Sequence, residues 1–256
     1  MIHPTAVVHP GAQLAEDVEV GPYSIIGEHT IIGKGTVIGP HVVIEGRTSI
    51  GENCKIFQFA AIGAPPQSFK YRGEDTRIVI GDRNVIREFV TIHKGTIDGN
   101  GQTLIGNDNL IMAYSHNAHD CRLGNGVIMA NAATLAGHIE IENSSIIGGL
   151  AAIHQYVRIG CYSILGGASA VPMDIPPYVC ASGNRARLYG LNIVGLKRHG
   201  FSPETIRKLK KVYRIFFRSV CSVKEAVAQV KKEGLKGPEV EHFVSFILNS
   251  KRGICR

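Results

Sequence analysis

No stretch of this 256-residue chain comes near the roughly 18 uninterrupted apolar residues that a membrane-spanning helix requires. Its opening residues, MIHPTAVVHPGAQL, have neither the charged n-region nor the apolar h-region of a secretory leader, so the expected compartment is the cytoplasm. Cys54, Cys121, Cys161, Cys180, Cys221 and Cys255 form no CxxC pair, which argues against a zinc knuckle and predicts reduced thiols packed as small apolar side chains. The loops GxGxxG and GxxxxGKS/T and the nucleophile elbow GxSxG are missing from any strand-turn-helix setting, which removes dinucleotide, P-loop and serine-hydrolase chemistry. Nucleic-acid modules are absent as well. Nothing in residues 1–183 sustains a helical stripe of period 3.6.

A period of six is present instead. Aliphatic residues recur at Ile2, Val8, Leu14, Val20, Ile26, Ile32, Ile38, Ile44, Ile50, Ile56 and Ile62, and again at Ile80, Ile86 and Ile92. After a shift of one residue the series resumes at Ile105 and Ile111 and runs from Leu123 to Val171. Glycine commonly follows the aliphatic residue and a small or β-branched residue takes the fifth place, giving L/I/V-G-x-x-S/T/A/V-x. Three short strands with tight corners per coil explain such spacing, with the aliphatic side chain inward and glycine or a small polar residue in turns that need unusual backbone angles. The pattern predicts an all-β left-handed parallel β-helix of hexapeptide repeats over residues 1–185. One coil takes eighteen residues, so residues i and i+18 stack. Breaks near 64–77 and 98–103 predict loops.

The net charge of +7 is unevenly divided: residues 1–185 hold 12 Lys and Arg against 16 Asp and Glu, and residues 186–256 hold 16 against 5. This second segment predicts a small α-helical domain. Ser202-Pro203-Glu204 and Ser222-Val-Lys-Glu225 are helix starts, and Pro238-Glu239 opens a last helix. Arg207, Lys208, Lys210, Lys211, Arg214 and Arg218 crowd the first of these around an apolar stripe, a pattern that suits either a solvated face or an acidic partner.

Several of the eleven histidines, such as His3, His9, His29 and His41, fall at ordinary turn positions. The stretch from Ala113 to Cys121 differs, because Asn117 stands where an aliphatic residue belongs and His116, His119 and Asp120 surround it. A local break in a regular repeat marks a candidate site. His119 beside Asp120 is a pairing that sets an imidazole tautomer for general-base work. Eighteen residues on stand Gly137 and His138, so the next coil would bring a bare backbone N–H, suited to an oxyanion, and a second imidazole. His154-Gln155 follows one coil later. The competing reading on this fold is zinc held by three histidines, as in γ-class carbonic anhydrases, but no matching triad aligns.

The segments IGDRNVIREFVTIHKGT, His116-x-x-His119-Asp120-Cys121, NAATLAGHI, AIHQY, PPYV and GLNIVGLKRHGFS, taken in order, resemble the UDP-N-acetylglucosamine acyltransferase family across essentially the whole chain. That resemblance implies transfer of a 3-hydroxyacyl group from the phosphopantetheine of acyl carrier protein to the 3-hydroxyl of UDP-N-acetylglucosamine, the first step of lipid A synthesis. It implies His119 as base, Asp120 as its orienter, Gly137 as oxyanion donor and His138 as an assisting group, with no metal, cofactor or covalent enzyme intermediate. It assigns nucleotide and sugar contacts to His116, His154, Gln155, Asn192 and Arg198, and brings Gln67 and Lys70 from a neighbouring subunit of a homotrimer. Gly167 would leave room for the end of the acyl chain, and the basic tail would meet the acidic carrier protein. Ser68 and Val194 depart from the family's usual Asp and Glu, which leaves the donor's 3-hydroxyl open. The sister N-acyltransferase resembles a longer protein with an extra N-terminal domain, for which a repeat starting at Ile2 leaves no space.

Overall fold

In the computed structural model, which describes all 256 residues, Met1–Arg256, the hexapeptides build three flat walls. A first sheet of nine strands runs from Val7–Val8 to Ala170–Val171, and a second of eight from Gln13–Leu14 to Arg158–Ile159. The third, of ten, runs from Glu19–Val20 to Arg187–Leu191. Apart from the last strand of the third wall, strands within each wall are parallel, and Gln13 lies opposite Ile31 and Leu14 opposite Ile32, the eighteen-residue step that the repeat predicts. Aliphatic side chains point down the bore: Ile26, Ile32, Ile38, Ile44, Ile56 and Ile62 are fully buried in one continuous core. At its open end Ile2 is exposed and Val8 and Leu14 are half-buried, because no preceding coil covers them.

The corners correct one expectation. Left-handed backbone angles fall mostly on non-glycine residues, among them Tyr23, His41, Phe59, Phe89 and Tyr114, with φ between 55° and 63°. Each such residue costs about 1–2 kcal/mol of backbone strain. These five stack ring on ring at 4.8–5.2 Å, so the third-to-first corner carries an aromatic ladder in which His41 is a rung. The repeat glycines serve a different need. A Cβ on Gly21 would lie 2.7 Å from the Gly39 carbonyl carbon, and one on Gly33 would lie 2.7 Å from that of Gly51. Close approach of successive coils, rather than an unusual φ, excludes a side chain there.

Side-chain amides and carboxylates secure the second-to-third corner. Asp82 accepts from Glu52 N–H, Asn107 from Asp82 N–H, Asn125 from Asn107 N–H and Asn143 from Asn125 N–H, all at 2.7–2.8 Å.

Both insertions leave the same corner, between the first and second walls. Arg47 pairs with Arg77, thirty residues on, and Arg77 with Gln102, twenty-five on, so the coils carry twelve and seven extra residues. The second insertion begins earlier than the sequence suggests, directly after strand Thr91–His93, because Gly95 and Thr96 already turn away from the wall.

The third wall also runs past residue 185. Strand Val179–Ser182 pairs antiparallel with Arg187–Leu191, and this return strand forms the last edge of the wall before the helices begin. Helix α1 spans Ile193–Arg198, α2 Pro203–Phe217, α3 Val223–Lys232 and α4 Pro238–Leu248. Ser202 caps α2 by accepting from Thr205 N–H at 3.0 Å, and Ser222 with Glu225 forms a reciprocal capping box on α3. Helix α2 buries Ile206, Leu209, Val212, Ile215 and Phe216, while Arg207, Lys210, Lys211 and Arg214 face solvent. No helix is long and apolar enough to cross a membrane.

Ile86 is fully buried and stacks between Ile56 and Ile111. Ile86→Ala, leaving a cavity that rigid walls cannot close, is expected to cost about 2–5 kcal/mol in denaturant unfolding, with the circular dichroism of the folded state unchanged.

Candidate active site

The corner that carries both insertions also carries the polar residues singled out in the sequence. His138 N–H donates to the His119 carbonyl at 3.0 Å, and Tyr156 N–H to that of Gly137 at 3.2 Å. The ladder therefore fixes His119, Gly137 and Gln155 in one column and Asp120, His138 and Tyr156 in the next. All three residues of the second column adopt φ of 61–64°.

His119 Nδ1 lies 2.8 Å from Asp120 Oδ2, and the Asp120 carboxylate is completely buried. The second insertion holds it there: Thr96 N–H lies 3.1 Å from both oxygens, Thr96 Oγ1 donates at 2.6 Å and Asn100 N–H at 3.2 Å. Burial disfavours charge on Asp120, yet the bonds from His119 and Thr96 outweigh it and keep the carboxyl below its ordinary range. With Nδ1–H donating to this anion, Nε2 is the basic nitrogen left to a substrate.

Gly137 lies against the face of this imidazole. A Cβ there would sit 2.5 Å from His119 Cε1, so any side chain would push the ring away. The Gly137 N–H takes no part in the coil ladder. His138 meets His119 edge-on at 5.0 Å and stacks on Tyr156 at 4.4 Å, with its Nδ1 3.8 Å from Asp120. Burial lowers its affinity for a proton, and the neighbouring Asp120 only partly restores it. His119, Asp120 and His138 offer ligand atoms within 4.8 Å of one another, but the Asp120 oxygens are already used in the bonds described above.

These groups open into a cavity of about 430 Å³ lined by His119, His138, Gln155 and Tyr156 of the wall, Gln67, Ser68 and Lys70 of the first insertion, and Asp98 of the second. Lys70 Nζ lies 3.6 Å from Asp98, bridging the two insertions. Within the single chain Gln67 and Lys70 line the same cavity as His119, because the twelve-residue insertion folds back over the corner from which it springs.

Other expected residues lie elsewhere. His116, on the first wall, pairs through Nδ1 with Thr91 Oγ1 at 2.7 Å, and burial, followed by the charge of His119, depresses its pKa. His154 is exposed and lines a separate hollow with Pro172 and Arg185. Asn192 caps α1, accepting from Gly195 N–H at 3.0 Å and donating to the Tyr162 carbonyl at 2.9 Å. Arg198 occupies the last turn of that helix. Gly167 sits at the third-to-first corner, where a Cβ would approach the Gly149 carbonyl oxygen to 3.1 Å.

Beneath the site the bore turns polar. Asn117 is fully buried with neither amide atom hydrogen-bonded, and His93 Nδ1 is likewise unpartnered. Sequence reasoning noticed Asn117 but missed Thr96, Asn100 and Thr103. Thr103 Oγ1 accepts from Asp120 N–H at 2.9 Å and donates to the His93 carbonyl at 2.7 Å. The only signal for Asn100 and Thr103 was their place at the second break in the repeat, and Thr96 lies ahead of that break.

Burial, with His116 and His119 nearby, lowers the His93 pKa to about 4. An imidazole with a folded pKa below its unfolded value binds fewer protons folded than unfolded between the two, so it removes stability as pH falls through that window. NMR titration is expected to show His93 neutral at pH 5.5, and unfolding to become easier between about pH 6.5 and 4.

Comparison with known proteins supplies the family. A family model described as UDP N-acetylglucosamine O-acyltransferase, domain 2, matches residues 174–255, and a bacterial transferase hexapeptide model matches residues 29–64. The chain is 56% identical over 255 residues to the acyl-[acyl-carrier-protein]–UDP-N-acetylglucosamine O-acyltransferase of Thermodesulfovibrio yellowstonii, covering 100% of this chain and 99% of that protein. Among solved structures it superposes on the UDP-N-acetylglucosamine O-acyltransferase of Moraxella catarrhalis with a TM-score of 0.96 at 44% identity, covering 100% and 99%. The UDP-N-acetylglucosamine acyltransferase of Francisella novicida gives 0.97 at 39%, covering 100% and 94%. Similarity of this extent, over the β-helix and the helical segment alike, shows that the chain belongs to the UDP-N-acetylglucosamine O-acyltransferase family.

Proposed function

We propose that the chain transfers a fatty acyl group from the thioester of acyl carrier protein to the 3-hydroxyl of UDP-N-acetylglucosamine, with His119 as general base. The observation that carries this reading is the His119–Asp120 pair, 2.8 Å apart with the carboxylate buried and clamped by Thr96. In the proposed step Nε2 of His119 takes the hydroxyl proton as the sugar oxygen attacks the thioester carbonyl. Asp120 stabilises the imidazolium that forms. The unused Gly137 N–H donates to the developing oxyanion, and His138 adds polarity beside it. Collapse of the tetrahedral intermediate expels the phosphopantetheine thiolate, which takes the proton back from His119. No cofactor, metal or covalent enzyme intermediate enters this scheme.

The proposal includes a homotrimer with sites between subunits, acting in the cytoplasm on the first step of lipid A synthesis. His116, His154, Asn192 and Arg198 lie outside the cavity of a single chain, a placement that suits contacts to a long nucleotide-sugar bridging two copies. Gln67, Lys70 and Gln155 line the cavity and offer amide and ammonium donors to the sugar and diphosphate. Arg198 would contribute a planar guanidinium to the phosphates. The exposed basic face of α2 suits transient docking of an acidic carrier protein. Ser68, also in the lining, can hydrogen-bond a 3-hydroxylated donor and tolerates a plain one.

The decisive assay supplies UDP-N-acetylglucosamine and carrier proteins bearing plain and 3-hydroxy chains of several lengths, with products read by mass spectrometry. His119→Ala is expected to lower kcat/KM by about 10²–10⁴ while leaving UDP-sugar binding nearly intact. A variant of undiminished activity would sink the general-base assignment. In the same panel Gly167→Met, adding a side chain at the proposed end of the acyl path, should move the preferred donor to a shorter chain, and an unchanged profile would remove Gly167 from that role.

A further inference from the structure

A second cluster of metal-ligating side chains lies away from this cavity, where the helices meet the β-helix. The amide ladder of the second-to-third corner passes through Asn107, Asn125 and Asn143 at eighteen-residue steps. Its next position is occupied by Cys161, whose side chain cannot continue the pattern. Glu142 instead meets the backbone of Cys161 itself, its Oε2 accepting from Cys161 N–H at 2.9 Å. Helix α4 brings His242 onto the same carboxylate, Nε2 to Oε2 at 2.7 Å. Glu142, Cys161 and His242 each offer one ligand atom, and the three atoms lie within 4.8 Å of one another.

We propose that Glu142, Cys161 and His242 form a zinc-binding site that clips helix α4 to the wall of the β-helix. The donor set selects the ion: a thiolate and an imidazole suit a borderline-soft divalent cation of tetrahedral preference, and an all-oxygen set for magnesium or calcium is not offered. Tetrahedral zinc holds such ligands about 3.3–3.8 Å apart, so His242 and Glu142, now 2.7 Å apart, must separate by about half an ångström or more to admit it. The route is open, since the Glu142 and His242 side chains retain 27% and 38% of their exposure and Cys161 is half-buried, which leaves a fourth position for water.

Neighbouring charges are compatible with a cation. Arg158 stands 3.8 Å from the other Glu142 oxygen, but its guanidinium is held over the Phe246 ring at 4.4 Å. Hydrogen bonds that His242 donates to Cys161 and Glu142 raise its pKa to about 10. Zinc takes a neutral imidazole and a thiolate as ligands, so its binding at this cluster competes with protons.

The test uses cobalt(II) as a spectroscopic substitute and zinc for stoichiometry, on the full chain. One equivalent of zinc per chain is expected to survive desalting, together with a rise in melting temperature when zinc is added. Cobalt should produce a near-ultraviolet thiolate charge-transfer band that Cys161→Ser abolishes and His242→Gln weakens, with zinc retention falling at least tenfold in both. His119→Ala should keep the band and the zinc, because the His119, Asp120 and His138 group contains no thiol. Far-ultraviolet circular dichroism confirms that each variant folds, and the surface position of His242 provides a second variant if Cys161→Ser does not. Absence of retained zinc, a band that persists without Cys161, or loss of zinc in His119→Ala would each overturn the assignment.

Discussion

Everything in this molecule depends on how closely one coil can approach the next. Parallel strands in register set the step at eighteen residues, and the backbones at the corners pass near enough that a Cβ at Gly21 or Gly33 would strike the following coil. At that separation the aliphatic columns fill the bore without gaps, and the backbone ladder is satisfied along each wall. Bulky residues then stand at corner positions with left-handed angles, their strain offset by rings that stack along the outside.

The geometry of the candidate site is borrowed from this stacking. His119, Gly137 and Gln155 align because they are separated by whole coils, and the imidazole rests on Gly137 because nothing else at that position would let it. The insertions supply what the repeat cannot. A buried carboxylate needs donors, and the seven extra residues of the second insertion deliver Thr96 and Asn100 to Asp120. The twelve of the first then cover the imidazoles and form the outer side of the cavity. Rigid walls position His119, and the loops hold its carboxylate partner and enclose it.

The helical segment is attached through polar contacts as well as packing. Asp174 accepts from Arg158 N–H and Ser250 Oγ and receives Cys255 N–H at its carbonyl, and His242 reaches Glu142. These bonds end the solenoid with a chain segment of opposite charge, so the acidic β-helix and the basic helices are joined along an interface of matched groups.

The sequence alone determined the β-helix, its eighteen-residue coil, the approximate place of both insertions, the caps of α2 and α3, and the stacking of Gly137 and His138 beyond His119 and Asp120. All of these follow from periodicity or from contacts within a few residues, and a strict repeat turns sequence distance into spatial distance. Tertiary structure alone decided the rest. That Thr96 and Asn100 clamp Asp120, that Gln67 and Lys70 line the same cavity as His119, and that His242 meets Glu142 and Cys161 depend on the paths of insertions and helices outside the repeat. There no period converts separation along the chain into distance. The second insertion's true start at Lys94 and the return strand Arg187–Leu191 were hidden for the same reason: each is fixed by pairing with a distant strand rather than by local residue preference.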